Sequence, residues 1–215
     1  MGAIARNIAN NITTSGVFTP DALDSGSVTG ITALANASDG ITLISSQTAS
    51  NSASISFTTG IDATYKAYKF VFVNMNPATD SANFSFNLST DAGSNYNVTK
   101  TTTIFRAYHT ESDSTTALEN LSSEDLAQST AFQIISGALG NGADENVSGT
   151  LTLFNPASTT YVKHFIANTN KTHSADYAIN DLLAGYGNTT SAVNAIQFKM
   201  SSGNFDGTIY LYGIK

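Results

Sequence analysis

Cysteine is absent from the 215 residues, so neither a disulfide nor a thiolate metal site can hold this fold together. Charge is scarce as well. Only 12% of residues are Asp, Glu, Lys or Arg, against about 25% in an ordinary globular chain. The net charge is −7, which opposes binding to nucleic acid or to an anionic membrane surface. No apolar run reaches the roughly 18 residues that a spanning helix needs, so no membrane insertion is expected. The N-terminus lacks a long apolar core of the signal-peptide kind. Gly2 follows Met1, but Arg6 stands where the myristoylation pattern requires Ser or Thr. These absences describe a chain made and folded in a cytoplasm.

What is present in quantity is Ser, Thr and Asn, residues that suit strands and turns better than helix interiors. The aromatics are 12 Phe and 9 Tyr without any Trp. At this length one main domain plus extra segments is the natural organisation. The composition changes near residue 40. Before it, Ile4, Ile8 and Ile12 fall four apart, on one face of a short helix that is marginal alone in water. Val17 and Phe18 follow among turn formers, in a stretch that carries too little apolar surface to fold by itself. Residues 1–40 therefore read as an attachment arm and linker, with Ile4, Ile8, Ile12, Val17 and Phe18 as its assembly contacts.

From residue 41 the pattern has period two. Segments 42–48 and 53–57 are strand-like. In the most apolar run, Tyr68, Phe70, Phe72 and Asn74 alternate with Lys69, Val71, Val73 and Met75, as in a central strand covered on both faces. Phe84, Phe86 and Leu88 alternate cleanly with outward polar residues. A strand is expected over 96–108, a surface loop over 110–120, and one short helix over about 123–134. Ser122 would cap that helix, with Asp125 at its third position and Leu121 and Leu126 as a hydrophobic staple. Further strands fall at 147–155, 161–169, 176–186, 192–200 and 207–214. Short strands at this spacing predict an all-β antiparallel β-sandwich, jelly-roll-like, over residues 41–215.

Catalytic signals are weak. His109, His164 and His173 have neither the i,i+4 spacing of a helical zinc site nor an HExxH setting. Carboxylates cluster at Glu111/Asp113, Glu119, Glu124/Asp125 and Asp144/Glu145, but no motif pairs them for glycoside hydrolysis. Asp91 and Asp144, with Asn neighbours, are hard oxygen donors suited to calcium, without a full EF-hand loop. Tyr96, Tyr108, Tyr177 and Tyr186 fall near predicted loops, where Tyr commonly contacts sugars or proteins. No catalytic residue, cofactor or metal is assigned.

Three stretches carry a resemblance. They are Ile41-Thr-Leu-Ile-Ser-Ser-Gln-Thr-Ala-Ser-Asn-Ser-Ala-Ser-Ile-Ser-Phe57 and on to Tyr65, Phe72-Val-Asn-Met-Asn-Pro-Ala-Thr-Asp80, and Gln197-Phe-Lys-Met-Ser-Ser-Gly-Asn-Phe-Asp-Gly-Thr-Ile209. They resemble virion proteins of marine tailed phages, cyanophages included, described as tail-fibre, head-fibre or other structural proteins. The likeness spans about residues 40–215. It implies a homotrimer docked onto tail or capsid proteins by its N-terminal segment, with the β-rich part projecting outward to a host-surface glycan or protein. It also implies a virion location and brings no catalytic residues. A capsid decoration or head-fibre role is the alternative, and a carbohydrate-binding or polysaccharide-degrading protein is the second.

Overall fold

The computed structural model describes residues 40–215; the candidate anchor residues Ile4, Ile8, Ile12, Val17 and Phe18 lie outside them. Twelve strands follow one another: β1 (Ile41–Ser52), β2 (Ile55–Phe57), β3 (Ala67–Pro77), β4 (Ala82–Ser89), β5 (Lys100–Thr110) and β6 (Thr116–Asn120), then β7 (Gln133–Leu139), β8 (Val147–Phe154), β9 (Lys163–His173), β10 (Tyr177–Gly187), β11 (Ala195–Met200) and β12 (Phe205–Ile214). The described residues contain no helix, and every pairing is antiparallel. The strand path runs β1-β12-β3-β8-β9-β7-β4-β11-β2. Its two ends come together where Gln47 Nε2 donates to the Ser56 carbonyl at 2.7 Å, giving a nearly closed, barrel-like sheet. The β9–β7 step is a single pair, Leu139 with His173. From β9 the sheet also continues outward through β10 and β5 to β6.

The core forms where alternate side chains meet in the middle. Phe198 of β11 is its hub, with Phe57, Phe70, Phe72, Phe84 and Phe86 around it at centroid distances of 5.2 to 6.4 Å. Such aromatic pairs add about 0.5–1.5 kcal/mol each beyond simple burial. The alternation read for Phe84, Phe86 and Leu88 holds, and all three are fully buried.

Three expectations are corrected. In β3, Asn74 does not continue the inward series. It adopts a left-handed conformation (φ 52°), the register slips between Phe72 and Met75, and the next inward position passes to Met75, which is fully buried. A bulge that inserts one residue exchanges the two faces of a strand. In β4, the polar residues Ser85, Asn87 and Ser89 are buried too, because Asn87 Nδ2 donates to the carbonyls of Tyr96 and Thr130, which close over that face.

The third concerns the helix over 123–134, which does not form; the region predicted as a surface loop just before it holds β6. Residues 121–129 instead run along the free edge of β5. Leu121 N donates to Ile104 O, Leu126 O accepts from Thr102 N, and Ser129 exchanges both backbone bonds with Lys100. Asp125 Oδ1, expected at the third position of a helix capped by Ser122, accepts from Ile104 N at 2.7 Å. β6 pairs β5 only from Phe105 to His109, so the rest of that edge needs partners. This tertiary demand outweighs a local capping signal worth only about 1 kcal/mol.

Candidate functional site

The outer face of β8, β9, β10 and β5 is the most distinctive surface of the described residues. Alternation sends Phe154 of β8, His164, Ile166, Asn168 and Asn170 of β9, Asn180, Leu182, Ala184 and Tyr186 of β10, and Thr101, Thr103 and Phe105 of β5 to one side. The registers Ala184 with Ile166 and with Thr103, and Leu182 with Phe105, bring them side by side. A groove of about 500 Å³ opens between Phe154, His164, Ile166, Ala184, Tyr186 and the threonines. A smaller hollow continues it between Ile166, Leu182 and Phe105. Ile166 is 52% exposed, and Phe105 and Phe154 are 40% exposed; Leu118 of β6, paired with Ala107, adds to the same face. No Asp, Glu, Lys or Arg points outward from these four strands. At the other end of the face is an amide group, in which Asn180 Nδ2 donates to Asn168 Oδ1 at 2.5 Å and Asn170 Nδ2 donates to the Ile179 carbonyl.

The inner face of the same strands is where the ionisable groups lie. Lys171 Nζ and Asp181 Oδ2 are 2.9 Å apart, and both side chains are 1% exposed. Lys171 Nζ also donates to the Gly137 carbonyl, and Ser136 Oγ donates to Asp181 Oδ2 at 2.6 Å. The Glu124 carboxyl lies against Gly137. A Cβ at that position would stand 2.9 Å from Glu124 Oε1, so glycine is what leaves the carboxyl room. Among the described residues three buried side-chain oxygens have no hydrogen-bond partner: Glu124 Oε2, Asp181 Oδ1 and Thr169 Oγ1. Burial pushes the Glu124 carboxyl above its ordinary value, against a smaller opposing effect of Lys171. Burial likewise pushes the Lys171 amine down, with Asp181 opposing.

A second buried lysine has no acid beside it. Lys100 Nζ donates to Asn87 Oδ1 at 2.5 Å and to the Val98 carbonyl at 2.8 Å, and loss of solvent pushes its amine down to about 7. Lys163 Nζ, also buried, is held by the carbonyls of Tyr161 and Thr189.

The residues singled out from the sequence are distributed over these features. Tyr186 and His164 form one wall of the groove, with ring centroids 6.0 Å apart. Tyr108, Tyr177 and His173 form a stack at the far end of the inner face, with centroids 5.6 and 5.4 Å apart. The guanidinium of Arg106 lies over Tyr108 and pairs with Glu119 at 3.0 Å. His109 meets Asp113 at 2.9 Å on the surface. Of the two carboxylates considered for calcium, Asp91 and Asp144, the first is engaged locally. Asp91 accepts from Asn95 Nδ2 and N and from Ser89 Oγ, bonds that hold its carboxyl at about 2. Beside Asp144, whose backbone carbonyl accepts from Asn146 Nδ2, Glu145 Oε2 accepts from Gly142 N at 2.6 Å. Among the described residues no group of three or more His, Cys, Asp or Glu has a metal-holding arrangement.

Sequence reasoning missed the buried lysines and Asp181. The signal was there in the alternation, because Lys163 and Lys171 fall in step with Phe165 and Ala167, the inward positions of β9. Comparison with protein families, curated proteins and solved structures gives no match to this chain.

Proposed function

We propose that this chain is a non-enzymatic structural component of a tailed-phage virion, a fibre or adhesion protein whose residues 1–40 attach it to other virion proteins. Its architecture reads as a jelly roll. With β5, β6, β9 and β10 set aside, the remaining eight strands pair in the order first–eighth–third–sixth and second–seventh–fourth–fifth, which is two interlocked Greek keys.

The observation that carries the assembly reading is the outer face of β8, β9, β10 and β5. A monomer seldom leaves a contiguous apolar surface open to water, and this one combines an apolar groove with a complete lack of outward charge. Copies of a chain carrying a net charge of −7 repel one another wherever like charges meet, and this face is where they do not. We assign it to contact between copies in a homotrimer. The neighbouring amides of Asn168, Asn170 and Asn180, with both donors and acceptors, favour a second role for the rim of that face as a host-glycan contact.

Sedimentation equilibrium tests the assembly reading directly. The full chain is expected at three times its sequence mass, and Ile166→Asp is expected to reduce it to one chain without altering its β-sheet spectrum. A wild-type chain that stays monomeric at assembly concentrations would remove the reading. Deleting residues 1–28 tests the attachment half, with loss of incorporation into particles as the expected result.

A further inference from the structure

We propose that Lys171 and Asp181 are joined by a self-formed amide bond between their side chains, with Glu124 as the proton-transfer group. The residues stand on neighbouring antiparallel strands as diagonal partners, since Lys171 pairs with Ile179 and Asp181 with Thr169. Their reacting groups are already in contact, with Nζ 2.9 Å from Oδ2, and solvent is excluded from both.

The step balances without a co-reactant. Nζ, in its neutral form, attacks Cγ of the protonated Asp181 carboxyl and forms the C–N bond. Negative charge gathers on Oδ2, toward which Ser136 Oγ already donates at 2.6 Å; a donor placed before charge develops is the arrangement that stabilises such an intermediate. The C–Oδ1 bond then breaks. Oδ1 is the oxygen that no group among the described residues holds, and it leaves as water. Glu124 gives that oxygen a proton and takes one from the nitrogen, so it ends as it began. Its Oε2 is buried and unpartnered, and its carboxyl abuts the residue whose carbonyl accepts from Nζ.

The product suits the site better than the reactants do. The amide N–H keeps the Gly137 carbonyl as its acceptor, and the amide oxygen keeps the Ser136 hydroxyl as its donor. Two buried charges become one neutral, satisfied group, a replacement that removes the desolvation cost of a buried ion pair. Burial drives both Lys171 and Glu124 toward their uncharged forms, which are the forms the reaction uses.

Lys100 is the internal control. It is buried against the Asn87 amide with no carboxyl to move a proton, so no bond is expected there, and a bond there would release ammonia instead of water.

Intact-mass measurement of the purified, denatured full chain decides the matter. The expected mass is lower than the sequence mass by one water, with a branched peptide joining the segments around Lys171 and Asp181 after proteolysis. Lys171→Met is expected to restore the full mass. Glu124→Gln is expected to fold and to form the bond about 100-fold more slowly, the lower range of a general acid–base contribution. Wild-type protein at full mass overturns the proposal. So does a water loss that maps elsewhere, for example to a cyclised Asp206-Gly207. Unchanged bond formation in Glu124→Gln removes Glu124 from its assigned role.

Discussion

The two faces of β8, β9, β10 and β5 exchange the roles that faces usually have. The inner face carries Lys100, Arg106, Lys163, Lys171 and Asp181, most of them sealed from solvent. The outer face carries no charge and exposes Phe105, Phe154 and Ile166. The difference teaches where each face finds its partners. Charges inside are tolerated because carbonyls, amides and one carboxylate receive them at hydrogen-bonding distance. Apolar groups outside have nothing in the described residues to receive them, which is the physical case for a second molecule on that side.

Removing charge from inside should be the costliest way to break this asymmetry. Lys171→Met leaves the Asp181 carboxyl buried with neither a cross-link nor a counter-charge, and urea unfolding is expected to show a loss of at least about 3–5 kcal/mol. The effect at Lys100 should appear as a pH dependence. Its amine is held at about 7 in the fold against an ordinary 10.5, so between those values the unfolded chain binds the extra proton. Stability should therefore rise as pH increases from about 7 toward 10.5, by on the order of 4 kcal/mol. Lys100→Met should flatten that rise. An unfolding series that is already flat in the wild type would show that the lysine is not held neutral.

Neighbours on one strand sharpen the contrast further. Phe165 points inward, edge-on to Phe86 at 5.1 Å, and Phe165→Ala should cost about 3 kcal/mol. Ile166, one residue on and facing outward, should cost under about 1 kcal/mol as Ile166→Ala in the isolated chain. In the assembled state the same substitution should cost more, and thermal melts at two concentrations would separate the cases. The smallest effect is expected at Leu118, 72% exposed on short β6, where Leu118→Ser should stay within about 0.5 kcal/mol.

Much of the fold was legible because period-two alternation is a strong signal wherever one face is apolar. It placed β1 to β5 and β8 to β12 within a few residues. It failed where a face is polar for reasons of tertiary contact. β6 and β7 were hidden because Thr116–Asn120 has no apolar stripe and because Ser122, Asp125 and Gln133 imitate a helix start and body. Two of these side chains are instead committed to β5 and to buried partners: Asp125 accepts from Ile104 N, and Gln133 donates to the carbonyls of Glu124 and Ile134. At Asn74 one bulge reversed the faces, a change that composition does not announce. Of the candidate sites, Tyr186 and His164 were marked from sequence and do meet at the groove. The inward positions of Lys171 and Asp181 were legible in the alternation, but their meeting with Glu124 was not, because the β9–β10 register and the path of segment 121–129 are tertiary features.

The pairing of Ile41 with Ile214 at the seam between β1 and β12 has a mechanical consequence. A pull separating residue 41 from residue 214 acts across the ladder and opens it one pair at a time, as a zip opens. A pull between residue 41 and the far end of β12 runs along the strands and loads every pair from Ile41 to Ser52 together. The same seam is thus compliant in one direction and stiff in the other, and the direction of load decides which of the two the molecule presents.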